Sequence, residues 1–148
     1  MDYKIDKSQW SKSSQKSSGG HYDAGATHYE NIAYRCVKCF AASIFSAEEQ
    51  KHSYEVRKDY IWRIPTLCAN CVIELTVLRE QDNKFLEQWN IHKETLNGNL
   101  EFLTNWLHTL NEISKFGKPY NQSAVTMLSR LVDEVPNQSF QRTAFGSR

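Results

Sequence analysis

No stretch of this sequence reaches the roughly 18 consecutive apolar residues that a membrane-spanning helix needs. Its first residues, MDYKIDKSQW, carry charges where a secretion signal would place an apolar run. No membrane partner is therefore expected, and a cytoplasmic location is. Charge of one sign is missing too: 18 Lys plus Arg stand against 17 Asp plus Glu, for a net charge of +1. That balance gives no global attraction for nucleic acid or acidic lipid, so binding of either kind needs a local patch. The loops G-x-x-x-x-G-K-[ST], G-x-G-x-x-G and G-x-S-x-G are absent, which removes the commonest nucleotide-binding and hydrolase signatures.

Cysteine is scarce, and its four copies all fall into two C-x-x-C pairs, Cys36 with Cys39 and Cys68 with Cys71. In a chain without a secretion signal this pattern argues for metal binding over a disulfide framework, with a thiol redox pair as the lesser alternative. Four thiolates from two knuckles suit tetrahedral zinc, one structural Zn2+ per chain, and a closed four-sulfur site leaves no position for substrate. Residues 40–67 separate the pairs, longer than the ~15–20 of the commonest patterns, and an inserted helix accounts for the excess.

What is present in quantity is ordinary: 40% hydrophobic and 12% aromatic residues over 148 positions, enough to bury a core in one domain or in a small module with a helical extension. Residues 1–30, with SKSSQKSSGG at 11–20, are too polar to offset ordering entropy and read as a flexible arm. Trp10 and Tyr22, with Tyr3 and Tyr29, are its large anchors, free to dock a partner or to lie against the body. From Tyr34 a hairpin is predicted, with the first knuckle in its turn and a return strand through Phe40 and Ile44. Ser46-Ala47-Glu48-Glu49 matches a capping box, opening a helix to about Lys58. The stretch DYIWRIP reads as extended, ended by Pro65, so the metal-binding module spans 34–71.

The remainder is predicted helical. Leu75, Leu78, Asp82, Phe85, Trp89, His92 and Leu96 hold one face of a long helix that Asn97-Gly98-Asn99 stops. A second helix over about 100–115 turns Leu100, Leu103, Trp106, Leu107, Leu110 and Ile113 inward, and a third over about 123–135 turns in Val125, Leu128, Leu131, Val132 and Val135. The fold class is therefore α+β: a zinc-ribbon or treble-clef module at 34–71, an assembly of about three helices at 72–136, and a frayed tail at 137–148.

The residues Tyr34-Arg35-Cys36-x-x-Cys39, then Phe45-Ser46-Ala47-Glu48-Glu49-Gln50, then Pro65-x-x-Cys68-x-x-Cys71 resemble the bacterial zinc-ribbon domain family, over about a quarter of the chain. The resemblance implies a zinc-bound ribbon or treble clef with no established catalytic activity, and it carries over the four ligands. Family members often have Gly after the first knuckle and basic residues after the last Cys, where this chain has Phe40 and Val72. In a treble clef the second knuckle opens a helix whose N–H groups face the thiolates, and CANCVIEL fits that role. Arg35 and Lys38 are expected to relieve the sulfur charge, with phosphate contact the alternative.

Other chemistry finds thinner support. Nucleases braced by paired C-x-x-C motifs need an Asp-His pair on the intervening hairpin, whereas His52 follows Lys51 within a predicted helix. Glu49-x-x-His52 has the spacing of a di-iron half-site, but the second copy is missing. His92, on the apolar stripe, and His108 read as hydrogen-bonded core or boundary histidines rather than as metal or acid-base groups. Arg57, Lys58, Tyr60, Trp62 and Arg63 interleave cations with aromatic rings, a pattern suited to single-stranded nucleic acid, although Glu48, Glu49, Glu55 and Asp59 lie among them. Phe85 and Trp89 form an apolar stripe large enough to expect burial by a partner protein or a second copy. The first expectation is a non-enzymatic zinc-binding adaptor. The alternatives are a zinc-dependent nucleic-acid binder and an enzyme of unrecognised type.

Overall fold

The computed structural model describes residues 3–17 and 25–135. The chain divides into two compact units, Met1–Cys68 and Ala69–Arg148. Tyr22 and the expected tail at 137–148 lie outside the described residues.

In the first unit, residues 3–5 run antiparallel to residues 27–29. Ile5 N–H donates to Thr27 O at 2.9 Å, and Tyr29 N–H donates to Tyr3 O at 2.9 Å. A 3-10 turn at Lys7–Gln9 and a short helix α1 (Lys12–Lys16) follow, capped by Asp6 and Ser11. Strands β1 (Ile32–Arg35) and β2 (Ala42–Phe45) then pair antiparallel, Ile32 opposite Phe45 and Tyr34 opposite Ser43. These two pairs face inward, as the period of two requires, while Ala33, Ile44, Arg35 and Ala42 face out. Ser46 caps helix α2 (Ala47–Lys51) by accepting from Glu49 N–H at 3.1 Å, and its hydroxyl donates to the Glu49 carboxylate at 3.1 Å. The predicted capping box thus has its serine half as expected, with the glutamate bonded to the serine hydroxyl.

Three expectations for this unit change. The helix expected to reach Lys58 widens after Lys51 into a π-helical turn at His52–Val56 and ends where Lys58 adopts φ 63°. There Asp59 takes the last groups: its N–H donates to Ser53 O, and its carboxylate accepts from the Ser53 hydroxyl at 2.7 Å. The DYIWRIP stretch forms a turn with Arg63 N–H donating to Tyr60 O, and no strand.

Residues 3–17, expected as part of a flexible arm, are built into the core. Trp10, Tyr29, Phe45, Ala47, Tyr54 and Ile61 form one buried cluster, with Tyr3, Ile5, Ile32, Tyr34 and Ile64 packed on it. Polar side chains complete the attachment. Trp10 Nε1 donates to the Tyr29 hydroxyl at 2.8 Å, and that hydroxyl donates to Glu55 at 2.7 Å. Glu55 also accepts from Lys51 Nζ, which reaches Lys4 O at 2.6 Å. Ser14, wholly buried, accepts from Ile61 N–H at 2.9 Å. A serine-rich segment can bury itself because its hydroxyls satisfy backbone groups that apolar side chains would leave unpaired.

The second unit holds helices α3 (Ala69–Leu96), α4 (Leu100–Ser114) and α5 (Gln122–Glu134), close to the predicted boundaries. Asn99 and Asn121 cap α4 and α5 by accepting from Phe102 N–H and Ala124 N–H. Gly117 takes φ 68° in the α4–α5 connection. Helix α4 packs on both neighbours, and it returns antiparallel along α3, since Trp89 meets Phe102 while Asp82 meets Trp106. Trp106 Nε1 donates to Asp82 at 2.9 Å, which explains the acid on an otherwise apolar stripe. Phe85, Trp89, Phe102 and Trp106 form an aromatic cluster with ring centroids 5.4–6.5 Å apart. Leu103, Leu110, Ile113, Phe116 and Leu128 continue the core. The architecture as a whole is mixed, with one small antiparallel sheet and helices dominating the carboxyl half.

Candidate metal centre

The turn between β1 and β2 carries the first knuckle. Cys36 N–H donates to Ala41 O at 3.0 Å, and Phe40 N–H returns to Cys36 O at 2.9 Å. The tight return is completed by Phe40 in the left-handed region at φ 64°, a conformation that favours glycine. Phe40 therefore keeps a glycine-like backbone while bearing an exposed phenyl ring. Arg35 Nη1 donates to Phe40 O at 2.7 Å, so this guanidinium braces the turn.

Two bonds hold the approach to the second knuckle beside the first: Val37 N–H to Thr66 O at 2.9 Å, and the Tyr34 hydroxyl to Leu67 O at 3.0 Å. Cys68 directly precedes α3 and Cys71 lies in its first turn, so the second pair straddles the helix start as the spacing predicts.

The four sulfurs come within 4.8 Å of one another. The Cys39 and Cys68 sulfurs stand 3.7 Å apart, and a tetrahedron with metal–sulfur bonds of about 2.3 Å has edges of about 3.8 Å. A disulfide requires about 2.05 Å, and all four cysteines are free thiols. Cys36 and Cys71 are buried, Cys68 is half-buried and Cys39 is exposed. Burial alone pushes the Cys36 thiol up, but the backbone N–H groups of Cys39, Cys68 and Lys38 and the neighbouring Cys39 thiol outweigh it and bring its pKa down to about 6. N–H donors directed at sulfur favour the thiolate, the form that binds metal. Donor set, spacing and protonation all fit a metal ion held by Cys36, Cys39, Cys68 and Cys71. Lys38 contributes here through its backbone N–H.

The other sequence-derived candidates fall into two groups. Tyr60 and Trp62 are half-exposed in the first unit. The cations beside them are engaged: Arg57 pairs with Asp59 through Nε at 3.1 Å and Nη2 at 3.0 Å, and Lys58 Nζ donates to Gln9 O. Trp62 Nε1 donates to the Ser17 hydroxyl at 2.7 Å, and Arg63 O accepts from the Tyr54 hydroxyl at 2.8 Å. In the second unit Trp89 is 6% exposed and Phe85 half-buried. The stripe expected to meet a partner is thus taken up within its own unit, because α4 supplies Phe102 and Trp106 to cover it.

His52, His92 and His108 are all exposed, and His92 sits at a kink in α3 with φ −122° and ψ 31°. None lines the groove of about 400 Å³ in the helical unit, which is bounded by Arg79, Asp82, Asn83, Leu110, Ile113, Pro119, Tyr120 and Asn121. No described helix is long and apolar enough to cross a membrane. Sequence reasoning missed that groove and the Trp10–Tyr29–Glu55 network, since neither leaves a periodic or motif-like trace.

Among known proteins, the chain matches no family model, no curated protein and no solved structure. The four clustered cysteines are consistent with a metal site.

Proposed function

We propose that the chain binds one structural Zn2+ through Cys36, Cys39, Cys68 and Cys71, in a treble-clef-like module with no catalytic role of its own. The observation that carries this reading is the sulfur cluster, with a 3.7 Å edge between Cys39 and Cys68. Zinc suits an all-thiolate tetrahedral set, and the filled coordination sphere argues for a structural ion. Metal analysis of the purified protein tests it: one zinc per chain is expected, and Co2+ substitution should give the absorption of a tetrahedral tetrathiolate. Cys36→Ser and Cys68→Ser should each lose the ion and unfold the first unit. A folded, metal-free protein holding two disulfides would overturn the proposal.

On this frame the protein acts as a cytoplasmic adaptor. Support comes from apolar side chains that the hairpin leaves in water, with Phe40 67%, Ile44 58% and Val37 46% exposed. A photoreactive residue placed at position 44 should cross-link to a protein partner or a second copy in native cells, and failure to do so would remove the adaptor reading.

A second reading, binding of single-stranded nucleic acid, is favoured by the half-exposed rings of Tyr60 and Trp62. Such rings stack on bases, but Arg57 and Lys58 would have to leave their present partners to reach phosphate. Salt-sensitive binding lost on changing Trp62 and Arg63 together would favour it, whereas no binding at low salt would dismiss it.

A further inference from the structure

The four cysteines are unequal toward solvent. Cys36 and Cys71 are buried, Cys68 is half-buried and Cys39 is exposed. An oxidant diffusing in water therefore meets the Cys39 sulfur first. The Cys68 sulfur, itself reachable, lies 3.7 Å away, within the distance at which a thiolate can attack a neighbouring oxidised sulfur after a small approach. Cys36 is a poorer partner despite sharing a knuckle with Cys39. Its sulfur already neighbours the Cys39 thiol, but it is fully enclosed and held by the N–H groups of Lys38, Cys39 and Cys68, and closing a bond to Cys39 would give up those N–H contacts. Cys71 is buried in the first turn of α3.

We propose that Cys39 and Cys68 form a peroxide-reactive pair whose oxidation opens the metal site. This inference rests on the metal-binding reading above and assigns it a mode of regulation. The Cys39 thiolate attacks a hydroperoxide oxygen, breaking the O–O bond and giving a sulfenic acid and one hydroxide. The Cys68 thiolate then attacks the Cys39 sulfur and expels a second hydroxide, forming the Cys39–Cys68 disulfide. Two thiolates have lost two electrons, and the peroxide has accepted both. Only Cys36 and Cys71 remain as thiolate ligands, too few to retain the ion. The link joins the two knuckles, so it keeps them together after the metal departs, and a dithiol reductant reverses it.

The test uses the wild-type, zinc-loaded protein treated with hydrogen peroxide. A chromogenic chelator follows metal release, and non-reducing peptide mapping after alkylation identifies the disulfide. One ion released per disulfide is expected, with the dominant cross-linked peptide joining Cys39 to Cys68, and Cys36 and Cys71 recovered as alkylated thiols. Dithiothreitol with added zinc should restore full loading. A dominant Cys36–Cys39 or Cys68–Cys71 disulfide overturns the proposal. So does retention of the metal, or oxidation to sulfinic acid without cross-linking. Zinc content measured before oxidation separates the two readings: a protein that takes up no zinc refutes the metal site, and the mapping on that same protein still decides the pairing.

Discussion

Replacing Phe40 by Gly and, separately, by Ala isolates the backbone strain in the first knuckle. At an ordinary position Gly is less stable than Ala by roughly 0.5–1 kcal/mol, because its unfolded chain has more freedom to lose. Phe40 holds φ 64°, and an L-residue in that region costs about 1–2 kcal/mol that Gly escapes. Both variants remove the same ring, which is 67% exposed, so its lost contacts cancel in the comparison. The Arg35 bond to Phe40 O uses the backbone and survives in both. Subtracting the entropy term from the strain term leaves Phe40→Gly more stable than Phe40→Ala by about 0–1.5 kcal/mol, with a midpoint of about 0.75 kcal/mol, the reverse of the usual order. Urea titrations of the two variants in the same buffer measure the difference. The pair Lys84→Gly and Lys84→Ala, at an exposed position within α3, supplies a control in which Ala should win. If Gly and Ala at position 40 fall in the same order as at position 84, the strain argument is wrong.

Tyr29→Phe should cost about 1–3 kcal/mol in urea unfolding, since the hydroxyl both accepts from Trp10 and donates to buried Glu55. Burial, together with Glu55, raises the Tyr29 pKa well above its ordinary value despite the opposing Trp10 bond. Its stabilisation is therefore complete below the unfolded tyrosine pKa of about 10 and declines as pH rises from there. The substitution should flatten that alkaline decline, and an unchanged slope would contradict the assignment. Trp10→Ala should destabilise the first unit by about 3–5 kcal/mol, measurable by chemical denaturation, whereas an effect below about 0.5 kcal/mol, typical of surface sites, would mean that residues 3–17 are only loosely attached. Asp82→Ala should cost about 1–3 kcal/mol by leaving Trp106 Nε1 unpaired, and Asp82→Asn, which keeps an acceptor, should cost less. Thermal melts followed by circular dichroism would compare them, and equal losses would refute the hydrogen-bond account.

The cysteine cluster and the helical half were legible because each rests on a local rule. Paired C-x-x-C motifs report their chemistry through spacing alone, Ser46 marks a helix start, Asn97-Gly98-Asn99 marks a helix stop, and the residues from Leu100 to Ile113 repeat at helical period. The amino-terminal residues were not legible for a related reason. Their attachment uses scattered contacts such as Ser14 to Ile61 and Lys51 to Lys4, and a serine-rich composition looks the same whether its hydroxyls meet water or a distant backbone. Trp89 was correctly placed on the apolar face of α3, but what covers that face depends on how α4 returns. Asp82 carried the clue, since an acid on a buried stripe implies a donor opposite, and Trp106 supplies it. The π-helical turn after Lys51 escaped detection because nothing in HSYEVRK marks a change of helix type; the helix ends close to the expected Lys58, where Asp59 bonds back to Ser53 and Arg57.

The anchoring of residues 3–17 also bears on the order in which the chain acquires structure. Ser14 waits for Ile61, Gln9 for Lys58 and Tyr34 for Leu67, so the first unit depends on contacts between residues tens of positions apart. In the second unit Asp82 meets Trp106 across one short connection. Long-range pairing slows folding because loop-closure entropy must be met before contacts form. During synthesis residues 3–17 emerge before Leu67 and the last two cysteines, and the first unit stays incomplete until those follow. The helices made afterwards can consolidate on a shorter timescale, so the first-made unit is the slower one to mature.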